Sequence, residues 1–399
     1  MTARICCDER SSMYIKNIKV YGPDMKFREG GIGISEDRFA NTVTEESPAG
    51  DIFDGKGCYA IPGLIDVHFH GALGEDVCDG TPEAVETIAR YEAYEGITAI
   101  CPATLTLPVE ELNSILANMA AFRAQQKEGG FSDCADLIGI NMEGPFISEA
   151  KKGAQNPAYI IPCNAEIAEG FVEASDGLLK IIGLAPEENP DFEAYIEAVK
   201  DKVTVSLAHT NSDYDTAMRA FAAGAKHAVH LYNAMPEFTH RNPGVVGAVA
   251  DTPHVNAEII TDGVHVHPSC VRTTFKMNGA ERMILISDSL RSTGMPDGQY
   301  VLGGQPITKQ GKYCRLVEGG SLAGSVSNLR ECMVNAVKEM NLPLETVVAC
   351  ATINPAKALG IDDIYGSIED GKKADLVLLC EDLSLAGVIK DGKILRDEE

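Results

Sequence analysis

With 59 acidic against 34 basic side chains, the 399-residue chain carries a formal charge of −25, which makes nucleic acid and anionic membrane surfaces poor partners. Its 45% hydrophobic content is ample for a sizeable core, yet no segment approaches the roughly eighteen uncharged apolar residues of a membrane span. Its twelve cysteines are scattered with no Cys-x-x-Cys pair, and the first ten residues carry acids and cysteines rather than a basic-then-apolar leader, so a cytoplasmic protein with reduced thiols is expected.

From about Tyr14 to Tyr59 the chain reads as short strands broken by turns. These are Tyr14-Ile15-Lys16-Asn17-Ile18-Lys19-Val20, then Gly30-Gly31-Ile32-Gly33-Ile34, then an acidic Ser/Glu/Pro/Gly stretch through Asp54. The far end has the same habit, with Leu376-Val377-Leu378-Leu379 and a hairpin turning at Asp391-Gly392. Residues 1–60 and 357–399 are therefore expected to build one sheet assembly from both chain ends.

Over residues 61–356 the texture changes to strand followed by helix, repeated. Eight apolar strand candidates run Ile61 to His68, Gly96 to Pro102, Leu137 to Met142, Leu178 to Ala185, Val203 to Ala208, His227 to Tyr232, Val255 to Thr261 and Met283 to Ser287. Segments such as Pro82 to Tyr94, Val109 to Gln126, Phe192 to Lys200 and Tyr214 to Ala223 carry Ala, Glu, Leu and Lys at amphipathic spacing and read as helices. That count and size fit an α/β fold of the (β/α)8 TIM-like barrel type, with an open doubly wound sheet as the alternative.

In such a barrel the chemistry sits at the carboxyl ends of the strands, where the loops surround one mouth. The polar residues collect there. The first strand ends in His68 and His70, which point to one side of an extended chain because they are two apart. Later strands end in Glu143, His209, His230 and Asp288. Glu143, His209 and His230 form the mixed nitrogen and oxygen set that suits Zn2+ or Fe2+, and His68 and His70 would complete that site or hold a second ion. A cation of this kind lowers the pKa of water toward neutrality, and a nearby carboxylate such as Asp288 takes the proton and passes it on. Metal-assisted hydrolysis is the chemistry these parts serve.

The longer strings carry a resemblance. Asn141-Met142-Glu143-Gly144-Pro145-Phe146, Lys152-Gly153-Ala154-Gln155, His230-Leu231-Tyr232-Asn233-Ala234-Met235-Pro236, Thr261-Asp262-Gly263-Val264-His265 and Leu322-Ala323-Gly324-Ser325 resemble the N-acetylglucosamine-6-phosphate deacetylases of the amidohydrolase superfamily. The likeness runs from about Pro62 to Gly371. It implies a barrel flanked by a small β-sandwich made of both chain ends, and removal of acetyl from N-acetylglucosamine 6-phosphate or a related amino sugar phosphate such as N-acetylgalactosamine 6-phosphate. It also implies that Asp288 is the acid/base, that Asn233 and the backbone at Ala234 contact the substrate, and that Arg241 and His265 face its phosphate. Where some relatives place a histidine after the Lys-Gly pair, this chain has Gln155, which can donate a hydrogen bond but no charge. Some relatives also replace the first-strand histidines and work with one metal; this chain keeps His68 and His70, so one or two ions are allowed.

A dianionic sugar phosphate needs charge-assisted donors against a field of −25, and the planar guanidinium of Arg241 gives two parallel hydrogen bonds. Its loop is of the kind that reaches a neighbouring subunit's mouth, so a homodimer is expected. Among the other histidines, His227 reads as structural on the opposite face of its strand from His230, His254 as solvent-facing and His267 as outside the site, while His240 stays open. Gly303-Gly304 and Gly319-Gly320 read as hairpin or loop glycines, since no Gly-Lys-Ser/Thr follows them. No Gly-x-Ser-x-Gly elbow suggests a serine hydrolase. A cyclic-amide hydrolase would be expected to carry a lysine after the fourth strand, and Leu184-Ala185-Pro186-Glu187 has none. A non-catalytic scaffold would have lost ligands that this chain retains.

Overall fold

The computed structural model describes residues 12–40 and 50–397. Most of the acidic stretch, and Cys6 and Cys7, lie outside the described residues. The chain divides into two compact units, one of both ends (to Gly63 and from Gly360) and one spanning Leu64–Leu359.

In the first unit eight strands form one hydrogen-bonded sheet. Ser12–Tyr21 pairs antiparallel with Phe27–Ser35 on one side and parallel, in turn, with Asp51–Asp54 and Tyr59–Pro62 on the other. Tyr59–Pro62 then pairs antiparallel with Leu376–Leu379, which joins the chain ends. The hairpin of Leu385–Lys390 and Lys393–Asp397 turns at Asp391-Gly392 as its sequence requires. Ile15, Ile32, Ile34, Ala60, Leu376, Leu378 and Ile389 form one buried cluster, so both ends supply the same core. Burying each of the larger aliphatic side chains contributes about 1.5–3 kcal/mol.

The second unit is a closed barrel of eight parallel strands. They are Leu64–Asp66, Ile97–Ile100 continued by Ala103–Thr104, Asp136–Leu137 continued by Ile140–Met142, Leu179–Leu184, Thr204–Leu207, His227–Ala228, Asn256–Ile260 and Met283–Ile286. The second strand is interrupted at Pro102, which has no N–H to give to a ladder. Closure is made by the backbone: Asp288 N–H donates to the His68 carbonyl at 2.9 Å and His70 N–H to the Ser289 carbonyl at 2.7 Å. The Ser287 hydroxyl adds a 2.5 Å bond to Asp66 Oδ2 across the same seam. A ring closed in this way is not an open doubly wound sheet.

The expected helices Pro82–Tyr94 and Tyr214–Ala223 form at those bounds, capped by Thr81 and Asp213 side chains that accept from Ala84 and Thr216 N–H. One expectation shifts. The first barrel strand starts at Leu64 rather than Ile61, because Ile61 and Pro62 pair with Val377 and Leu376 in the other sheet. An unexpected antiparallel trio, Gly298–Leu302, Gln305–Gln310 and Tyr313–Leu316, follows the eighth strand. Its first turn is the Gly303-Gly304 pair, with φ of 52° and 79°, values at which side chains are strained.

Candidate active site

The six predicted ionisable residues meet at the carboxyl end of the barrel. Past Asp66 the chain alternates: Val67 and Phe69 are fully buried one way, and His68 and His70 turn the other way into the mouth. Glu143 follows the third strand, His209 the fifth, His230 the sixth and Asp288 the eighth. Glu143 Oε1 lies 2.8 Å from His209 Nε2, 2.9 Å from His230 Nε2 and 3.4 Å from His68 Nε2. Its other oxygen lies 3.5 Å from His70 Nε2, and Asp288 Oδ1 lies 3.3 Å from that nitrogen and 3.9 Å from His68 Nε2.

Backbone strain supports this convergence. His209, His230 and Asp288 have φ of 42°, 26° and 51°, in the left-handed region that non-glycine residues rarely enter. Beside them Gly153 has φ of 56°, where a side chain is strained, and a Cβ there would press on His209 Cε1 at 3.2 Å. The turn after the fifth strand is clamped by Glu187, which accepts from the Thr210 hydroxyl at 2.5 Å, the Ser212 hydroxyl at 2.6 Å and the Asn211 N–H.

What fills the ligand positions follows from the far side of each ring. His70 Nδ1–H donates to the Ala103 carbonyl at 3.0 Å, His209 Nδ1–H to the Lys151 carbonyl at 2.8 Å, and His230 Nδ1–H to the Asn233 carbonyl at 3.1 Å. Carbonyls only accept, so these rings turn Nε2 toward the carboxylates. A nitrogen lone pair and a carboxylate oxygen do not stand 2.8 Å apart without a proton or a cation between them. His68 Nε2 is buried and has no hydrogen-bond partner among the described residues. His68, Glu143 and His230 form one group able to hold an ion, and His68, His70 and Asp288 a second. Imidazole nitrogens and carboxylate oxygens suit a divalent cation, and the residues fit one or two.

The same packing sets the charges. Burial opposes ionisation of Glu143, but His209, His230 and His68 outweigh it and hold the carboxyl well below the usual range. Burial likewise opposes ionisation of Asp288, and His70 and His68 keep it low, so it is a carboxylate at neutral pH. His265 lies at the same mouth with Nδ1 2.8 Å from Asp262 Oδ2. Burial works against its charge, yet Asp262 raises its pKa.

Glu143, Gln155, His209, His230, Asn233, Ala234, His265, Asp288 and His70 line one cavity, with Leu105, Leu302 and Leu322 as apolar wall. Arg241 is not among them. It is exposed and lines a separate cavity with Asn211, Asp213 and Tyr214. Gln155 does not reach into the cavity as a free donor: its carbonyl accepts from Thr106 N–H at 2.7 Å, which turns its NH2 onto Glu143 Oε2. His267 caps the helix Pro268–Asn278, and His254 and His240 are exposed. His227 stays out of the cluster, its Nε2 2.8 Å from Glu258 Oε1. Glu258 was missed by the sequence reading; the signal was a carboxylate inside the apolar run Ala257-Glu258-Ile259-Ile260, which a barrel interior tolerates only beside partners. Burial opposes its charge, but His68 and His227 bring its pKa down to about 2.

Comparison with known proteins agrees with this geometry. The model of the amidohydrolase family matches residues 59–395. The N-acetylglucosamine-6-phosphate deacetylase of Vibrio furnissii is 39% identical over 84% of this chain and 83% of its own length. That of Bacillus subtilis is 33% identical over 96% of this chain and 97% of its own. The crystal structure of the Pasteurella multocida N-acetylglucosamine-6-phosphate deacetylase superposes with a TM-score of 0.89 at 28% identity, covering 97% of this chain and 100% of that one. No helix among the described residues is long and apolar enough to cross a membrane. The chain belongs to the amidohydrolase family, and within it to the N-acetylglucosamine-6-phosphate deacetylases.

Proposed function

We infer that this chain hydrolyses N-acetylglucosamine 6-phosphate to glucosamine 6-phosphate and acetate. The observation that carries the reading is that Glu143 Oε1 lies within 2.9 Å of both His209 Nε2 and His230 Nε2, at a mouth that also holds the Asp288 side chain. When bound, a divalent cation, Zn2+ or Fe2+ as one or two ions, would supply Lewis-acid polarisation of the amide carbonyl and acidify the attacking water. Glu143, His209 and His230 would hold the principal ion, with His68 and His70 as further ligands. Asp288 takes the proton as the water oxygen bonds to the acyl carbon, then gives it to the amine nitrogen as the C–N bond breaks. The products are the amine and acetic acid, which leave as ammonium and acetate once the acid's proton has passed to the amine, and Asp288 is again a carboxylate.

Asn233 and the backbone at Ala234, in the lining of the cavity, orient the sugar, and His265 faces the phosphate. Gln155 serves Glu143 rather than the acyl oxygen. Arg241 lines a cavity apart from this one, so we assign its contact with the phosphate to the mouth of a second copy in a homodimer. The ten described cysteines are free thiols, in keeping with work in the reducing cytoplasm.

The test is acetate release from N-acetylglucosamine 6-phosphate, N-acetylgalactosamine 6-phosphate and unphosphorylated N-acetylglucosamine, after chelation and readdition of zinc or iron. The expected order is N-acetylglucosamine 6-phosphate first and the unphosphorylated sugar last, with no release before readdition. Faster release from N-acetylgalactosamine 6-phosphate would reassign the substrate, and no release from any of the three would overturn the reading.

A further inference from the structure

Each of the four clustered histidines has its Nδ1 anchored, but not by the same kind of group. His70, His209 and His230 rest on neutral backbone carbonyls, whereas His68 Nδ1 lies 2.9 Å from Glu258 Oε2, a fully buried side chain of the seventh strand. The other oxygen of Glu258 accepts from His227 Nε2 at 2.8 Å, and Oε2 also accepts from the His230 N–H at 3.2 Å. His227 is 1% exposed and His68 0%, so these bonds are shielded from bulk solvent.

We propose that Glu258 and His227 are a positioning pair that fixes the Nδ1–H tautomer of His68 and presents its Nε2 to the cation. The proposal rests on the hydrolase reading above. Its chemistry is that of a carboxylate behind a metal-ligating imidazole: the acceptor holds the proton on Nδ1, and its negative charge makes Nε2 a stronger donor than a carbonyl would. Three N–H groups aim at Glu258, and two carboxylate oxygens accept them all. An amide in its place has one accepting oxygen. Whichever way it turned, its NH2 would face an N–H of either His68 or His227, and one ring would have to give up its tautomer.

The pair acts through His68, and that makes the test specific. In a double-mutant cycle, the affinity of the metal-free protein for Co2+ is measured by competition with a chromophoric chelator, and the visible Co2+ spectrum reports the ligand field. Glu258→Gln and His68→Asn are each expected to weaken Co2+ binding roughly 10–100-fold and to shift the spectrum alike. The double variant is expected to bind no worse than His68→Asn alone. Additive losses, or wild-type affinity in Glu258→Gln, would overturn the proposal, since a merely structural carboxylate would act independently of His68. Melting of each metal-free variant separates misfolding from lost ligation. Should Glu258→Gln not fold, His227→Leu enters the same cycle with the same criterion, as it removes the donor to Glu258 Oε1 and leaves the charge of the carboxylate. Wild-type protein that bound no divalent cation would instead refute the hydrolase reading itself.

Discussion

His70 Nε2 lies 3.3 Å from Asp288 Oδ1, closer than any other imidazole nitrogen comes to that carboxylate, and His70 N–H bonds the backbone of the next residue, Ser289. Asp288, the proposed acid/base, is thus tied to the first strand by its side chain and by the main chain of its neighbour.

Replacing Asp288 with Asn keeps the shape and removes the proton acceptor. Turnover of N-acetylglucosamine 6-phosphate is expected to fall about 10²–10⁴-fold. Bound metal, measured by elemental analysis after gel filtration, should remain close to wild type, because Glu143 still gathers His209 and His230. A variant that keeps its activity would remove Asp288 from the mechanism.

Gln155 is aimed at Glu143 by the 2.7 Å bond from Thr106 N–H to its carbonyl. In Gln155→Glu a second carboxylate would face Glu143 where an NH2 donates now. We expect metal retention against a chelator to fall roughly 10–100-fold, with KM changing less than kcat. An effect confined to KM would mean that Gln155 meets the substrate directly.

Arg241 lies on a cavity apart from the cluster. If it serves a second copy, Arg241→Ala should raise KM for the phosphorylated sugar roughly 10–100-fold. Neither Arg241→Ala nor Asp288→Asn protein would then turn over well alone, yet a mixture refolded together should recover about a quarter of wild-type activity, since half the dimers carry one complete site. No recovery on mixing, with dimers confirmed by light scattering, would place Arg241 outside the partner's site.

Glu92, on the helix Pro82–Tyr94, is fully buried, and neither of its oxygens has a hydrogen-bond partner among the described residues. Burial, with Asp66, Glu95 and Glu331 nearby, raises its pKa well above the ordinary 4.5. Between the unfolded and folded values only the unfolded chain releases the proton, so stability falls as pH climbs through that window and the cost then levels off. Glu92→Met should therefore be more stable than wild type at pH 8 by about 1–3 kcal/mol, with the gain shrinking toward pH 4. Urea unfolding at the two pH values measures it, and a gain independent of pH would assign it to packing instead.

The alternation of strand and helix, the bounds of Pro82–Tyr94 and Tyr214–Ala223, and the position of the candidate ligands at strand ends were all legible in the sequence, because periodicity and capping are local and each candidate follows its own apolar run. So was the union of the two chain ends, from the strand texture they share. Register and facing were not legible. That Ile61 and Pro62 pair outside the barrel, that Gln155 turns onto Glu143, that Arg241 leaves the cavity, and that Glu258 stands behind His68 all depend on partners far away in the chain. Glu258 shows the reason most directly. In sequence it is one acid in an apolar strand, and only closure of the barrel places two imidazoles against its oxygens and makes a buried charge stable.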